Sequence, residues 1–410
     1  MGIENKKQLF SITSIPLIMT LGNSMLIPVL PAIRSKLGIT SLQVSLLITV
    51  YSAVAIIFIP FAGYLSDRFG RKTVIIPSLI ITGIGGLIAG LAAWWIDHSY
   101  ALILVGRFIQ GIGAAGAFPI VIPLVGDIFK EENDVSSGLG IVETANTFGK
   151  VLSPILGSAL AMVIWFLPFM FIPILCLISM LLVLFLVKSQ KKKSEQADMV
   201  SFASYLSHIK NIFKNNGRWL YAIFAIGCIC MLVIFGTLYY LSDLLEDKFN
   251  VFGVVKGCIL AIPLAALCIA SFVTGKGIGK DERLMKWIIF AGLIVLSGSI
   301  FLCGRVTSIY WLLAWIGLAG IGIGSALPCL DVMITRGIEK DQRGTITSIY
   351  SSTRFIGVAI GPPLASILLK ISPSTMFYTI SGICVLASVI ALFAIKPKKD
   401  EKLPQKESLA

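Results

Sequence analysis

The sequence predicts an all-α polytopic membrane protein with twelve transmembrane helices in two pseudo-symmetric six-helix halves. Three observations predict it. The chain has 410 residues, of which 56% are hydrophobic and 13% charged, with a mean hydropathy of +0.91. A soluble domain carries about 25% charged residues, enough to cover its surface. The apolar residues come in runs that match the roughly 20 residues a helix needs to cross a bilayer core. The runs also fall into two sets of six that repeat one another. Segments of alternating character, the mark of a membrane β-barrel, do not occur in the sequence.

The first run, about 9–33, follows Lys6 and Lys7 but is too long for a signal-peptide core and lacks a small-residue cleavage site. Its stretch "LGNSMLIPVLP" holds polar and helix-bending residues, so it reads as a working span. The second and third runs, 42–65 and 73–95, flank "GYLSDRFGRKT" at 63–73. The fourth, 101–126, carries Arg107, and the fifth, 137–161, carries Glu143 and Lys150. The sixth spans 164–187. A polar stretch, 188–218, then divides six runs from six. Its first half is a charged linker. Its second half spaces Phe202, Tyr205, Leu206, Ile209 and Phe213 at helical intervals, the pattern of an amphipathic helix on a membrane surface.

The seventh run, 219–242, presents Cys228, Met231, Phe235 and Tyr239, and the eighth covers 252–274. The ninth to twelfth cover 286–304, 309–333, 345–369 and 375–395. The expected organisation is a six-helix bundle at 1–187, a linker at 188–218, a second bundle at 219–396 and a polar tail at 397–410. The halves repeat visibly. "GIGAAGAFP" at 111–119 matches "GIGIGSALP" at 320–328, and "GKVLSPILG" at 149–157 matches "GVAIGPPLA" at 357–365. Two-fold repeats of this kind build transporters with a substrate site between the halves.

Lys and Arg set the orientation. With both termini inside, the inner segments hold 25 basic residues, the outer loops 6, and the spans 3. The positive-inside rule favours that arrangement. It also accounts for the net charge of +13, which attracts anionic lipid and carries no nucleic-acid module. The eight cysteines all fall in spans, and none forms a Cys-x-x-Cys pair. With only His98 and His208 besides, no metal centre is expected. A nucleophile–histidine–acid set and a phosphate loop are both missing from the sequence, and "GIGIG" at 320–324 lies inside a span. An enzyme is therefore not expected, nor a cofactor.

The motifs resemble those of the major facilitator superfamily. "GYLSDRFGRKT" is similar to its loop between helices 2 and 3, and "RFIQGIGAA" at 107–115 to its helix 4 motif. "GKVLSPILGS" at 149–158 resembles the helix 5 motif of its antiporters, with Ser153 and Ser158 where glycine is usual. The first-helix stretch resembles that of bacterial drug:proton antiporters. The resemblance implies a proton-coupled exporter of a small amphipathic compound, working by alternating access as a monomer in the bacterial cytoplasmic membrane. Its partners would be substrate, protons and lipid. A lipid or glycolipid flippase, an anionic-metabolite exporter and a nutrient carrier share the fold.

The resemblance also implies roles. Gly63, Asp67, Arg68, Gly70 and Arg71, with Asp127, would form a conformational latch. Gly149, Ser153, Pro154 and Gly157 would form a hinge. Arg107 would assist proton coupling. Charges inside a membrane are costly and mark function; by that argument Glu143, the one carboxylate expected deep in a span, is the candidate proton carrier. Asn23, Gln110, Lys150, Met231, Phe235, Tyr239 and Arg354 are candidates to line the substrate cavity. Asp331 is expected to be an inner-gate charge with Arg336 or Arg343. The cavity's aromatic and sulfur side chains suit an amphipathic molecule, and its excess of basic residues suits a neutral or anionic one.

Overall fold

The chain is built of helices because almost every segment can satisfy its backbone internally, as a bilayer requires. The computed structural model describes residues 3–129, 131–188, 202–278, 281–338 and 343–395. The first span is α1 (Ile3–Ser24), a 3-10 turn (Ile27–Val29) and α2 (Leu30–Leu37). The second and third are α3 (Ser41–Phe69) and α4 (Arg71–Trp95). The fourth is α5 (Tyr100–Ala117) with α6 (Val121–Ile128), and the fifth and sixth are α7 (Glu132–Val163) and α8 (Leu167–Leu186). The second set comprises α9 (Phe202–Asp247), α10 (Gly253–Gly277), α11 (Glu282–Cys303), α12 (Ile309–Gly337), α13 (Arg343–Leu369) and α14 (Pro373–Ala394).

Local chemistry sets the boundaries. Thr40 and Gln43 form a reciprocal capping box at the start of α3. The turn into α4 is Gly70, whose φ of 96° is open to glycine and costly for other residues. Proline breaks two spans: Pro28 and Pro31 follow the end of α1, and Pro119 separates α5 from α6. In α9, Gly217 adopts φ 54° and ψ −142°. It divides the expected surface helix from the span that follows. Of that helix's apolar side chains only Phe213 is described; its ring meets Tyr221 at a tilt and Phe224 edge to face.

Among the described residues, eleven helical segments are long and apolar enough to cross a membrane. The remaining span is α7. At 32 residues it has the length, but Glu143, Thr144, Asn146, Thr147 and Lys150 dilute its hydrophobicity. That polarity is the first sign of where the site lies. Across the molecule α3 packs on α13, and α7 on α10.

The even number of spans puts both chain ends on one face, here the terminal face. The apolar cores reveal an asymmetry along the axis. One core cluster lies within α1 and α3–α8. The other fills the second half and continues into Leu26, Leu30, Ile33, Leu47, Ala92, Ile103 and Phe169 of the first. Those residues all sit at helix ends away from the terminal face. The halves share a core at the opposite face, so the molecule is closed there.

Candidate functional site

A cavity of about 560 Å³ lies where the halves meet, lined by residues of α1, α3, α7, α9 and α13. Met19, Tyr51, Met231, Phe235 and Phe355 give it apolar walls, and Asn23, Asn146, Lys150, Ser351 and Arg354 give it polar points. The polar points are chained together. Thr20 Oγ1 donates to Asn146 Oδ1 at 2.5 Å, and Asn146 Nδ2 donates to both Glu143 carboxylate oxygens at 3.2 and 3.3 Å. Arg354 crosses between the halves: Nη2 lies 4.0 Å from Glu143, and Nη1 lies 3.7 Å from Asp331 on α12. The side chains of Glu143 and Asp331 are 37% and 31% exposed, so water reaches this charge cluster.

Lys150 is different. It is buried beside the same cavity, and among the described residues its ammonium has no hydrogen-bond partner. A charged ammonium without acceptors in a low-dielectric place is costly.

Arg107 lies outside the cavity, wholly buried in the first half. Its Nε donates to Leu47 O at 2.8 Å, Nη1 to Gln110 Oε1 at 2.6 Å, and Nη2 to Asn23 Oδ1 at 2.6 Å. The guanidinium stands over the Tyr51 ring at 4.4 Å.

Two further networks sit at the two faces. On the terminal face Arg71 bonds Asp67 at 2.7 Å, Asp127 at 3.2 Å and Ser66 Oγ at 2.6 Å. On the opposite face a belt joins the halves. Arg34 on α2 reaches Asp243 and Asp247 on α9, each at 2.7 Å. Lys256 on α10 binds Glu246 at 2.7 Å and also donates to Pro28 O at 2.7 Å. Ser242 Oγ donates to Ile27 O at 3.0 Å, and Tyr239 OH to Ser41 O at 3.0 Å. Where the first span breaks, side chains of the other half reach its carbonyls: Lys256 takes Pro28 O, and Ser242 adds a second bond to Ile27 O, which also accepts from Leu30 N–H.

A twelve-span bundle in two halves around a central charged cavity narrows the comparison to one group of proteins. The sequence profile of the Major Facilitator Superfamily matches residues 12–303 and 282–409. The chain belongs to the Major Facilitator Superfamily. It is 52% identical over 97% of its length to the bacillibactin exporter of Bacillus subtilis (strain 168), covering 98% of that protein. It is 25% identical over 93% of its length to multidrug resistance protein 2 of the same organism, covering 93% of it. Among solved structures, a bacterial homolog of the human lysosomal transporter Spinster, inward-facing and occupied, superposes with a TM-score of 0.77 at 15% identity. That alignment covers 96% of this chain and 97% of the other. The human organic anion transporter MFSD10 superposes with a TM-score of 0.75 at 18% identity, over 95% of this chain and 100% of the other. This superfamily member is a transporter of the efflux type and not an enzyme.

Within this facilitator fold the expected residues separate. Asn23, Lys150, Met231, Phe235 and Arg354 line the cavity. Gln110 does not: it is 1% exposed and faces Arg107 inside the first half. Tyr239 does not either, since its hydroxyl belongs to the opposite-face belt. Gln110 lies on α5, which does not line the cavity, and Tyr239 lies on the cavity-forming α9 but on a face turned to the first half. Glu143 is not the sole deep carboxylate, because Asp331 shares Arg354 with it. The central cluster is thus two acids and two bases. Asp331 lies against Arg354; the side chains of Arg336 and Arg343 lie outside the described residues.

The motif residues separate in the same way. Gly63 offers its carbonyl to Ser66 Oγ at 2.8 Å. Arg68 turns away from the Arg71 cluster, over the Phe69 ring at 5.3 Å. In the hinge, Ser153 Oγ donates back to Gly149 O at 2.5 Å. Pro154 lines a small pocket with Phe235 and Leu260. At Gly157 a side-chain carbon would collide with the Met25 carbonyl, so glycine lets α7 press on the broken first span.

The belt escaped the sequence reading. Lys256 lies near the outer edge of the eighth apolar run, where it reads as a charge of the adjoining outer loop, yet it is 2% exposed within α10. The spacing of Asp243 and Asp247, one helical turn apart at the end of a span, was the available signal.

Proposed function

We propose that this protein exports bacillibactin, or an organic compound of similar acceptor-rich or anionic character, by alternating access coupled to protons. The observation that carries the reading is Lys150, a buried ammonium at the cavity wall whose hydrogen bonds go unmet among the described residues. The 52% identity with a bacillibactin exporter supports the substrate class. In this reading the terminal face is cytoplasmic, as the excess of basic residues favours, and the protein works as a monomer in the bacterial cytoplasmic membrane.

Substrate enters from the terminal side and takes Lys150 and Arg354, displacing Glu143 and Asp331 from the guanidinium. The Arg71 cluster and the opposite-face belt exchange roles as the molecule turns outward. After release, protons neutralise Glu143 and Asp331. The empty carrier is then net positive, and an inside-negative potential pulls it back at about 2.3 kcal/mol per charge per 100 mV. Deprotonation toward the cytoplasm restores the pairs with Arg354.

The test is uptake into inverted vesicles under an imposed proton gradient, with bacillibactin and a lipophilic cation compared. Wild-type protein is expected to accumulate bacillibactin. Lys150→Met is expected to lose that uptake at least about tenfold, the order of one good charge-assisted contact, and to leave any uptake of the cation unchanged. Equal loss of both, or loss of the cation alone, overturns the reading.

A further inference from the structure

Arg107 raises a question that the transport reading leaves unanswered. The side chain has no exposed surface, and its three acceptors, Leu47 O, Gln110 Oε1 and Asn23 Oδ1, are all neutral. No Asp or Glu pairs with it among the described residues. A guanidinium does not give up its proton in a protein, so burial cannot discharge it as it can a lysine. The Tyr51 ring offsets part of the charge but supplies no counter-ion.

Beside Arg107 lies a second cavity, with room for a single small occupant, separate from the central cavity and walled by Gly22, Tyr51, Thr82, Gln110 and Cys176. Arg107 and Gln110 bring donors to it. A guanidinium carries five N–H groups, and three bonds are accounted for. Gln110 gives its oxygen to Arg107, so its Nε2 is buried with no partner. Thr82 has already spent its hydrogen on Ser78 O at 2.9 Å. What the lining leaves unmet is donors, the Gln110 amide and the remaining N–H groups of Arg107. An anion needs only the donors.

We propose that this cavity binds one small monatomic anion, chloride in the cell, as the counter-ion of Arg107. The apolar remainder of the wall, Ile18, Met19 and Ile172, gives nothing to the extra oxygens of a sulfate. Tyr51 and Met19 line both cavities, so the ion lies one side-chain layer from the substrate. Its charge offsets that of Arg107 there.

The experiment uses the full chain in lipid nanodiscs. Binding of radiolabelled chloride is measured by equilibrium dialysis, and thermal unfolding is followed in chloride, bromide, sulfate and gluconate at constant ionic strength. Wild-type protein is expected to bind about one chloride per chain. Its Tm is expected to rise saturably with chloride or bromide and to stay flat with sulfate or gluconate, as ligand linkage requires. Asn23→Asp places a carboxylate where Asn23 Oδ1 now meets Arg107. That variant is expected to lose chloride affinity at least about tenfold and to be insensitive to the choice of anion. Gln110→Glu keeps an acceptor for Arg107 and replaces the Nε2 donor with a carboxylate oxygen, and affinity is expected to fall several-fold; this variant carries the test if Asn23→Asp does not fold. Absence of saturable chloride binding by the wild type overturns the proposal. So does binding that neither variant weakens.

Discussion

Arg107 and Arg354 are both long cations inside the bundle, and they are held in opposite ways. Arg107 is gripped by three short bonds of 2.6–2.8 Å to neutral acceptors and lies against an aromatic ring. Arg354 stands between two carboxylates at 3.7 and 4.0 Å, one from each half of the molecule, at the edge of the central cavity. The first is tied by directional bonds that a moving substrate cannot reach. The second is held by charge at distances beyond hydrogen-bond geometry, and its partners meet water. A transporter needs both kinds of site. Fixed cations shape a half into one rigid body, and exchangeable cations let substrate, proton and the other half compete for a single group.

The sharpest way to break this comparison is to remove the exchangeable charge. Arg354→Gln strips Glu143 and Asp331 of their shared guanidinium and takes one cation from the cavity. Taking one partner from a buried ion pair costs about 3–5 kcal/mol, and partial exposure reduces that here. Transport in vesicles is expected to fall at least about a hundredfold, which corresponds to ~2.7 kcal/mol, with the protein still inserted. Substantial transport by Arg354→Gln would place the exchangeable site elsewhere.

Much of this contrast was written in the sequence, but not its geometry. The spans, the glycine turn at Gly70 and the basic residues inside apolar runs follow from composition and spacing, because the bilayer admits few alternatives. The cluster of Asp67, Arg71 and Asp127 was legible from a motif although Asp127 lies 56 residues beyond Arg71. Two kinds of information were missing. A helix in an all-round apolar span carries no amphipathic signal to say which face meets the cavity, so Gln110 and Tyr239 were placed on the wrong side. Pairings between the halves, such as Arg34 with Asp243 across 209 residues, follow from docking the halves. Lys256 was hidden for the same reason: its acceptor, the Pro28 carbonyl, exists only because the first span breaks.

A second, smaller perturbation separates binding from coupling within the exchangeable site. Glu143→Gln keeps the hydrogen bond to Asn146 available and leaves Arg354 with Asp331. If Glu143 carries the proton, uphill transport driven by a pH gradient is expected to disappear while downhill substrate exchange continues at near the wild-type rate. Loss of both modes together would make Glu143 part of the substrate grip instead. Retention of uphill transport would pass the proton to Asp331.

The smallest expected effect belongs to the fixed cation, provided its charge is kept. Arg107→Lys retains a positive group but loses the planar fork that lets one side chain reach Leu47 O, Gln110 Oε1 and Asn23 Oδ1 together. An ammonium on a shorter reach holds one or two of these acceptors, and each bond to a charged donor is worth about 1.5–3 kcal/mol. The first half should therefore loosen, with a lower Tm for the purified protein. Transport should decline about tenfold, equally for every compound carried, because no substrate contact has changed. The comparison turns on that equality. An altered preference among substrates in Arg107→Lys would show Arg107 acting on the cavity directly, and the distinction between fixed and exchangeable cations would fail at the residue that defines it.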